Sequence, residues 1–472
     1  MKKLLILLLT VVNYSVAQNK IAGDWEGKLA LTGGINLRII FHITDTDGQL
    51  SAKMDSPDQG VNGLACDKAE LNNETLVIGL SRAGVVYEGT VSKDMNSITG
   101  TWRQGNASLN LDFLRKEVNA KEEVKPQTPL PPFSYASEDI EYDNETKTIH
   151  YGATLTYPKT GGNFPAVILI TGSGLQDRDE TIGLHKPFAV IADHLTKNGF
   201  AVLRVDDRGK GKTTGDVKNA TTADFANDLE VAIQQLKSRK EINSKKIGLI
   251  GHSEGGMIAP LVASRNKSVA FIVLLAGPGI PIPELLAEQS EAMMKIAGVN
   301  GEALSAYHDM YKKEIVAIPN ATTKEAAVQS AVSIFRTWQK ATPKEIVVKT
   351  TTVTDSTSTS AFINNLVNQF YSPWFRYFLL FDPQPILQKL TCPVLALNGE
   401  KDVQVLAKSN LAGIKSALQK SKSTFEVREL PGLNHLFQTC STCAPSEYFG
   451  LQETFSPTAL DAITDWLKKT VK

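Results

Sequence analysis

One turn constrains this chain of 472 residues more than any other feature. The run Lys246-Ile247-Gly248-Leu249-Ile250 leads into Gly251-His252-Ser253-Glu254-Gly255-Gly256, and a helix-forming stretch follows. A G-x-S-x-G motif between a buried strand and a helix needs glycine on both sides of the serine. The backbone there turns too sharply for side chains, and it lifts the hydroxyl above the end of the strand. Such a turn requires a sheet flanked by helices, so the expected fold class is α/β. The chain from residue 133 onward agrees. Residues 149–157, 166–171, 201–205, 246–250, 270–275, 394–398 and 425–429 read as strands, and 187–197, 223–236 and 457–468 as helices. Ala166-Val167-Ile168-Leu169-Ile170 is apolar throughout rather than alternating, which predicts a mostly parallel sheet covered on both faces.

Serine is a weak nucleophile without a base, and the base needs an acid to fix its tautomer. On a strand–turn–helix frame of this kind the chain order is Ser, acid, His. Residues 394–398 end in Gly399-Glu400-Lys401-Asp402, and 425–429 end in Leu430-Pro431-Gly432-Leu433-Asn434-His435. Of seven histidines, only His435 stands in a loop directly after a late strand. The expected roles are Ser253 as nucleophile, His435 as general base and Asp402 as the orienting acid, with Glu400 as the alternative acid. A developing oxyanion needs backbone donors. These are expected from Glu254 and from the turn Thr171-Gly172-Ser173-Gly174, with Ser173 the first choice there and Gly174 the second. Asp177-Arg178-Asp179 and Asp206-Asp207-Arg208 read as ion pairs bracing these loops.

The stretches around Gly172, Ser253, Asp402 and His435 resemble the α/β-hydrolase superfamily. More narrowly, they resemble exported bacterial carboxylesterases close to the serine-aminopeptidase-like branch. The resemblance covers about residues 133–472. It implies an α/β-hydrolase sheet, hydrolysis of small-molecule acyl esters without metal or cofactor, and a triad of Ser253, Asp402 and His435. The chain departs from the pattern at Thr171, where relatives often carry a histidine before the oxyanion glycine. Thioesterases and serine oligopeptidases or aminopeptidases share this frame and are the alternatives. A peptidase would need acidic groups placed to receive a free amine.

Between residues 275 and 394 the chain runs for more than a hundred residues where one crossover helix would suffice. This predicts a helical lid at about 280–385, above the strand ends. It opens with an amphipathic helix at 283–297 and passes through a polar, mobile stretch at 350–360. It then reaches the densest aromatic cluster of the chain: Phe370, Tyr371, Trp374, Phe375, Tyr377, Phe378 and Phe381. Most of these rings are expected to pack the lid onto the sheet. Tyr371, Trp374 and Phe375 are the candidates for an apolar wall that holds an acyl chain.

The N-terminal part has a different rhythm. Leu37, Ile39, Phe41 and Ile43 alternate with polar residues, and turn signals recur, so 18–115 reads as a small all-β accessory domain. About eight strands in a barrel or sandwich are expected, with Trp25 and Trp102 capping one core. The alternative class of function, carbohydrate or surface binding beside a vestigial hydrolase, would reside there. Residues 116–132, with Pro126, Pro129, Pro131 and Pro132, read as a stiff linker. At the start, Lys2 and Lys3, the apolar residues 4–12 and Ser15-Val16-Ala17 read as a signal peptide over 1–17, too short for a membrane anchor. The expected location is periplasmic or extracellular, where disulfides persist. Cys440 and Cys443 are then expected to form a short bridge near His435. Fifty Lys+Arg balance fifty Asp+Glu. A net charge of zero argues against a partner whose phosphates must be neutralised.

Overall fold

A computed structural model describes residues 21–30, 36–57, 61–105, 107–116 and 124–471, and the expected signal peptide lies outside them. The chain divides into two units, one of residues up to Glu123 with Ile182–Leu184, the other of Val124–Thr181 and His185 onward.

Among the described residues the first unit has ten strands: β1 (Gly23–Ala30), β2 (Asn36–Thr46), β3 (Gln49–Ser56), β4 (Val61–Ala65), β5 (Lys68–Asn72), β6 (Thr75–Leu80), β7 (Val85–Val91), β8 (Ser97–Gln104), β9 (Ala107–Asn110) and β10 (Phe113–Arg115). They form one antiparallel sheet in the order β4-β3-β2-β1-β10-β8-β7-β6-β5, with β9 alongside β8. The order ends at β4 and β5 instead of closing, so the sheet is a half-barrel rather than a barrel or sandwich. The short β9 and β10 account for the strands beyond the expected eight. First and last strands do pair, with Trp25 opposite Arg115. Burial alternates along β7 with period two. The inward side chains, with Trp25 and Trp102 among them, share a core with Phe41, Tyr87 and Phe113.

The second unit is built on an eight-stranded sheet. Its strands are β11 (Ala136–Asp143), β12 (His150–Tyr157), β13 (Phe164–Ile170), β14 (Ala201–Val205), β15 (Ile242–His252), β16 (Ile272–Leu275), β17 (Val394–Gly399) and β18 (Phe425–Leu430), in the order β11-β12-β14-β13-β15-β16-β17-β18. The sheet is mixed. β11 and β12 pair antiparallel, β12 runs antiparallel to β14, and the remaining pairings are parallel. β11 went unread in the sequence because Ala-Ser-Glu-Asp-Ile-Glu-Tyr-Asp buries a single residue, the signature of a charged sheet edge.

Alternate side chains of β13 serve opposite faces. Val167 and Leu169 pack with α1 (Pro187–Lys197) and the C-terminal helix, whereas Ala166, Ile168 and Ile170 pack with α2 (Thr222–Lys237) and α3 (Gly255–Arg265). Of the seven helices between β16 and β17, six have largely their own core: α4 (Ile282–Ile296), α5 (Gly301–Asn320), α6 (Lys324–Ala341), α7 (Lys344–Thr351), α8 (Ser356–Phe370) and α9 (Pro373–Leu379). That core also takes in Met257 of α3. The short α10 (Gln384–Leu387) precedes β17, α11 (Ala407–Leu418) joins β17 to β18, and α12 (Pro457–Thr470) is the C-terminal helix.

One expectation needs correction. The polar stretch at 350–360 is mostly helical, because the Asp355 carboxylate accepts the Ser358 N–H at 2.8 Å and starts α8. The stretch read as a stiff linker is held by side-chain hydrogen bonds from Lys125 onward. Lys125 Nζ donates to the carbonyls of Phe449 and Leu451 at 2.9 and 2.6 Å, and Gln127 Nε2 donates to that of Phe455 at 2.8 Å.

Candidate active site

Ser253 stands directly after β15 with φ of +52°, in the left-handed region that a residue with a side chain occupies at a cost of about 1–3 kcal/mol. Two glycines make the turn possible. A Cβ at Gly251 would lie 2.0 Å from the Gly255 carbonyl oxygen, and one at Gly255 would lie 2.2 Å from that of Ile170. The turn is pinned by the Ser253 N–H, which donates to the Leu275 carbonyl at 2.8 Å. Ser253 itself is only partly buried.

The loops after β17 and β18 meet at the same end of the sheet. His435 Nδ1 and Asp402 Oδ2 are 2.8 Å apart, and both residues are buried. The other Asp402 oxygen accepts the N–H groups of Gln404 and Val405 at 2.8 and 2.9 Å, which aims the carboxylate. Glu400 is used differently. It is exposed, accepts the Gly432 N–H at 3.0 Å, and is held below its usual range by that bond and by Lys401. The His435 ring lies 4.8 Å from that of His252, the residue before Ser253, so the base loop rests on the nucleophile turn.

The glycine turn after β13 comes up from the other side. A Cβ at Gly172 would lie 3.2 Å from Ser253 Cβ. Gly172 N–H is already committed to Glu180 Oε1 at 2.6 Å. Among the described residues, the N–H groups of Ser173 and Glu254 donate to no protein acceptor, as a pair of oxyanion donors must.

Residues 185–354 match the family model "Serine aminopeptidase, S33", a stretch that contains Ser253 and ends before Asp402 and His435. A curated relative, esterase EstD of Thermotoga maritima, is 26% identical over 67% of this chain and 65% of its own length, just under two thirds of that esterase. Acyl-coenzyme A thioesterase 1 of Homo sapiens is 25% identical over 39% of this chain and 40% of its own. Among solved structures, an esterase from Pyrococcus furiosus aligns with a TM-score of 0.42 at 15% identity, over 75% of this chain and all of that one.

Thr171, before Gly172, donates its hydroxyl to Asp207 at 2.7 Å. Burial pushes the Asp207 carboxyl up to about 8, and Glu180 and Glu254 nearby add to the effect. The bracing ion pairs are present. Arg178 meets Asp206 through Nε and Nη2 at 3.0 and 2.6 Å, Arg204 pairs with Asp179, and Arg208 pairs with Asp228. A cavity of about 70 Å³ lies beyond the Gly172 turn, lined by Gly172, Asp207, Phe225, Leu229, Glu254 and Ile258 among others.

The three aromatic candidates separate. Tyr371 carries the Arg376 guanidinium 5.0 Å from its ring centre, and Phe375 stacks on Phe370, both inside the insertion. Trp374 instead donates its indole N–H to Glu254 Oε1 at 2.9 Å, and Thr222 donates to the same oxygen at 2.6 Å. The indole thereby ties α9 to the residue after the nucleophile. Trp374→Phe keeps the ring and removes the donor. It should lower kcat/KM for short esters by about tenfold, the loss of one hydrogen bond to a buried carboxyl group. Unchanged kinetics in the folded variant would refute a role for the bond.

Cys440 and Cys443 are joined by a disulfide. Glu447 accepts the N–H groups of Ser441, Thr442 and Cys443 at 2.9, 2.9 and 2.6 Å, so the turn has a second fastening. Breaking the bridge in Cys440→Ser/Cys443→Ser should cost about 2 kcal/mol or less, the closure entropy of so short a loop. The melting midpoint checks this, and failure of alkylation before reduction checks the bridge itself.

Proposed function

We propose that this chain is an exported serine hydrolase that cleaves carboxylic acyl esters of small molecules. The observation that carries the proposal is the buried His435–Asp402 pair, whose imidazole lies beside His252, the residue before the left-handed Ser253. In this reading Ser253 Oγ attacks the ester carbonyl as His435 takes its proton, and Asp402 stabilises the imidazolium that forms. The oxyanion is received by the N–H groups of Ser173 and Glu254. Collapse of the tetrahedral species expels the alcohol, which leaves with the proton from His435 and an acyl group on Ser253. A water molecule, deprotonated by His435, then releases the acid and restores the hydroxyl.

Support for ester chemistry comes from the similarity to the esterase of Thermotoga maritima. The name of the matching family favours peptides with a free amine as the second reading. Turnover of p-nitrophenyl esters beside aminoacyl p-nitroanilides and acyl-CoA thioesters, in wild type and Ser253→Ala, separates the readings. Ester turnover lost in the variant supports the first, and anilide turnover alone supports the second.

We further assign the helices α4–α9 as a lid over the strand ends, which would set acyl length. Alanine at Tyr371 or Phe375 should change the preference between neighbouring chain lengths by ~1–3 kcal/mol in kcat/KM. Unaltered selectivity in both folded variants would remove them from the acyl wall. Export rests on residues 1–17, and N-terminal sequencing of protein from the periplasm or medium tests it.

A further inference from the structure

Beside the site stands a second acid–histidine pair that the ester mechanism does not use. Glu180 is 2% exposed, His252 is 5% exposed, and the two meet at 2.9 Å through Oε1 and Nδ1. The same Glu180 oxygen accepts the Gly172 N–H at 2.6 Å. The other ring nitrogen of His252 lies 3.0 Å from the carbonyl oxygen of His435. One carboxylate and one ring therefore link the glycine turn after β13, the nucleophile turn after β15 and the base loop after β18.

The partners decide the proton count. A carbonyl oxygen only accepts, and a carboxylate oxygen already holding an N–H accepts from the ring as well. Both ring nitrogens of His252 must then donate, which makes the ring an imidazolium. We propose that Glu180 and His252 are positioning residues of the hydrolase, a buried carboxylate–imidazolium clamp that keeps oxyanion turn, nucleophile and base loop in register. The proposal rests on the ester-hydrolase reading above.

Electrostatics agree with the geometry. Burial alone would lower the His252 pKa, but the charge and hydrogen bond of Glu180, with the His435 carbonyl and Asp402, raise it above the usual imidazole value. The titratable groups facing the pair are the His435 ring, Asp402 behind it, and Asp207, which faces Glu180 from the loop after β14. A raised histidine pKa means that the clamp is intact at low pH and is lost as pH rises through the folded value. Wild-type kcat/KM should accordingly fall on the alkaline side.

The test is the pH profile of p-nitrophenyl acetate hydrolysis by wild type, Glu180→Gln and His252→Gln, with Ser253→Ala alongside. In Glu180→Gln the amide oxygen can still accept from Gly172, but no charge holds the second proton on His252. Its alkaline limb should move to lower pH than in wild type. In that variant kcat should drop more than tenfold at pH 8 while KM changes little. His252→Gln, which cannot titrate, should be slower and lack the alkaline limb. If Glu180→Gln does not fold, the presence or absence of that limb in His252→Gln decides. A limb unchanged in every folded variant overturns the clamp. The melting midpoint against pH gives a readout independent of substrate. The component lost on the alkaline side in wild type should be absent from His252→Gln, and an identical profile counts against the clamp. Wild-type turnover in Ser253→Ala would instead overturn the ester-hydrolase reading and leave the clamp to be judged by the melting profiles.

Discussion

Ser253→Ala is expected to reduce kcat for ester hydrolysis by about 10⁴ or more while the protein melts within a few degrees of wild type. The size of the loss follows from how the site works. In the proposed mechanism His435 and Asp402 act on the ester only by way of the acyl group that Ser253 accepts, so removing the hydroxyl disables all three residues together. What remains is binding and oxyanion stabilisation, which sustain a small fraction of the rate. The small change in stability follows from the turn itself. It is closed by backbone packing at Gly251 and Gly255 and by the Ser253 N–H bond to Leu275, none of which involves the hydroxyl. Circular dichroism and burst-phase kinetics with p-nitrophenyl acetate test both halves. Retained turnover would show that another group is the nucleophile.

The second large effect discriminates between two acids two residues apart. Asp402→Asn should lower kcat by about 10⁴, because an amide facing Nδ1 favours the wrong tautomer and cannot stabilise an imidazolium. Glu400→Gln should remain close to wild type. Its side chain is exposed and holds the Gly432 N–H, a bond that the glutamine oxygen can also accept. The structure supplies the reason for the contrast: Asp402 is 4% exposed and 2.8 Å from His435, whereas Glu400 faces Lys401 and solvent. An inactive Glu400→Gln beside an active Asp402→Asn would reverse the assignment.

The parts of the site that could be read from sequence are those set by local backbone geometry. Glycines flanking Ser253, and loops falling just past strand ends, place Ser253, Asp402 and His435 without knowledge of tertiary contacts. Features set by distant pairings could not be read this way. Glu180 and His252 are 72 residues apart, and His252 occupies a variable position of the serine motif, so nothing local marks the pair. The role of Trp374 was hidden similarly. An indole within an aromatic cluster reads as an apolar wall, and only the fold shows its N–H reaching Glu254. β11 was missed because an edge strand with one buried residue gives almost no periodic signal. The stretch at 350–360 was misread because polar composition outweighed a capping aspartate in the reading.

The helices α4–α9 leave the sheet at the end of β16 and return at β17, and these two strands are hydrogen-bonded neighbours. To the sheet, the whole insertion is one loop whose ends are already side by side. Doubling the length of such a loop costs only ~0.6 kcal/mol of closure entropy. Because the insertion fills its own core, changes in its length or sequence need not be transmitted to the strands. This is the place where the chain can lengthen or shorten while Ser253, His435 and Asp402 keep their positions, provided that Trp374 still reaches Glu254 and the packing on Met257 is kept.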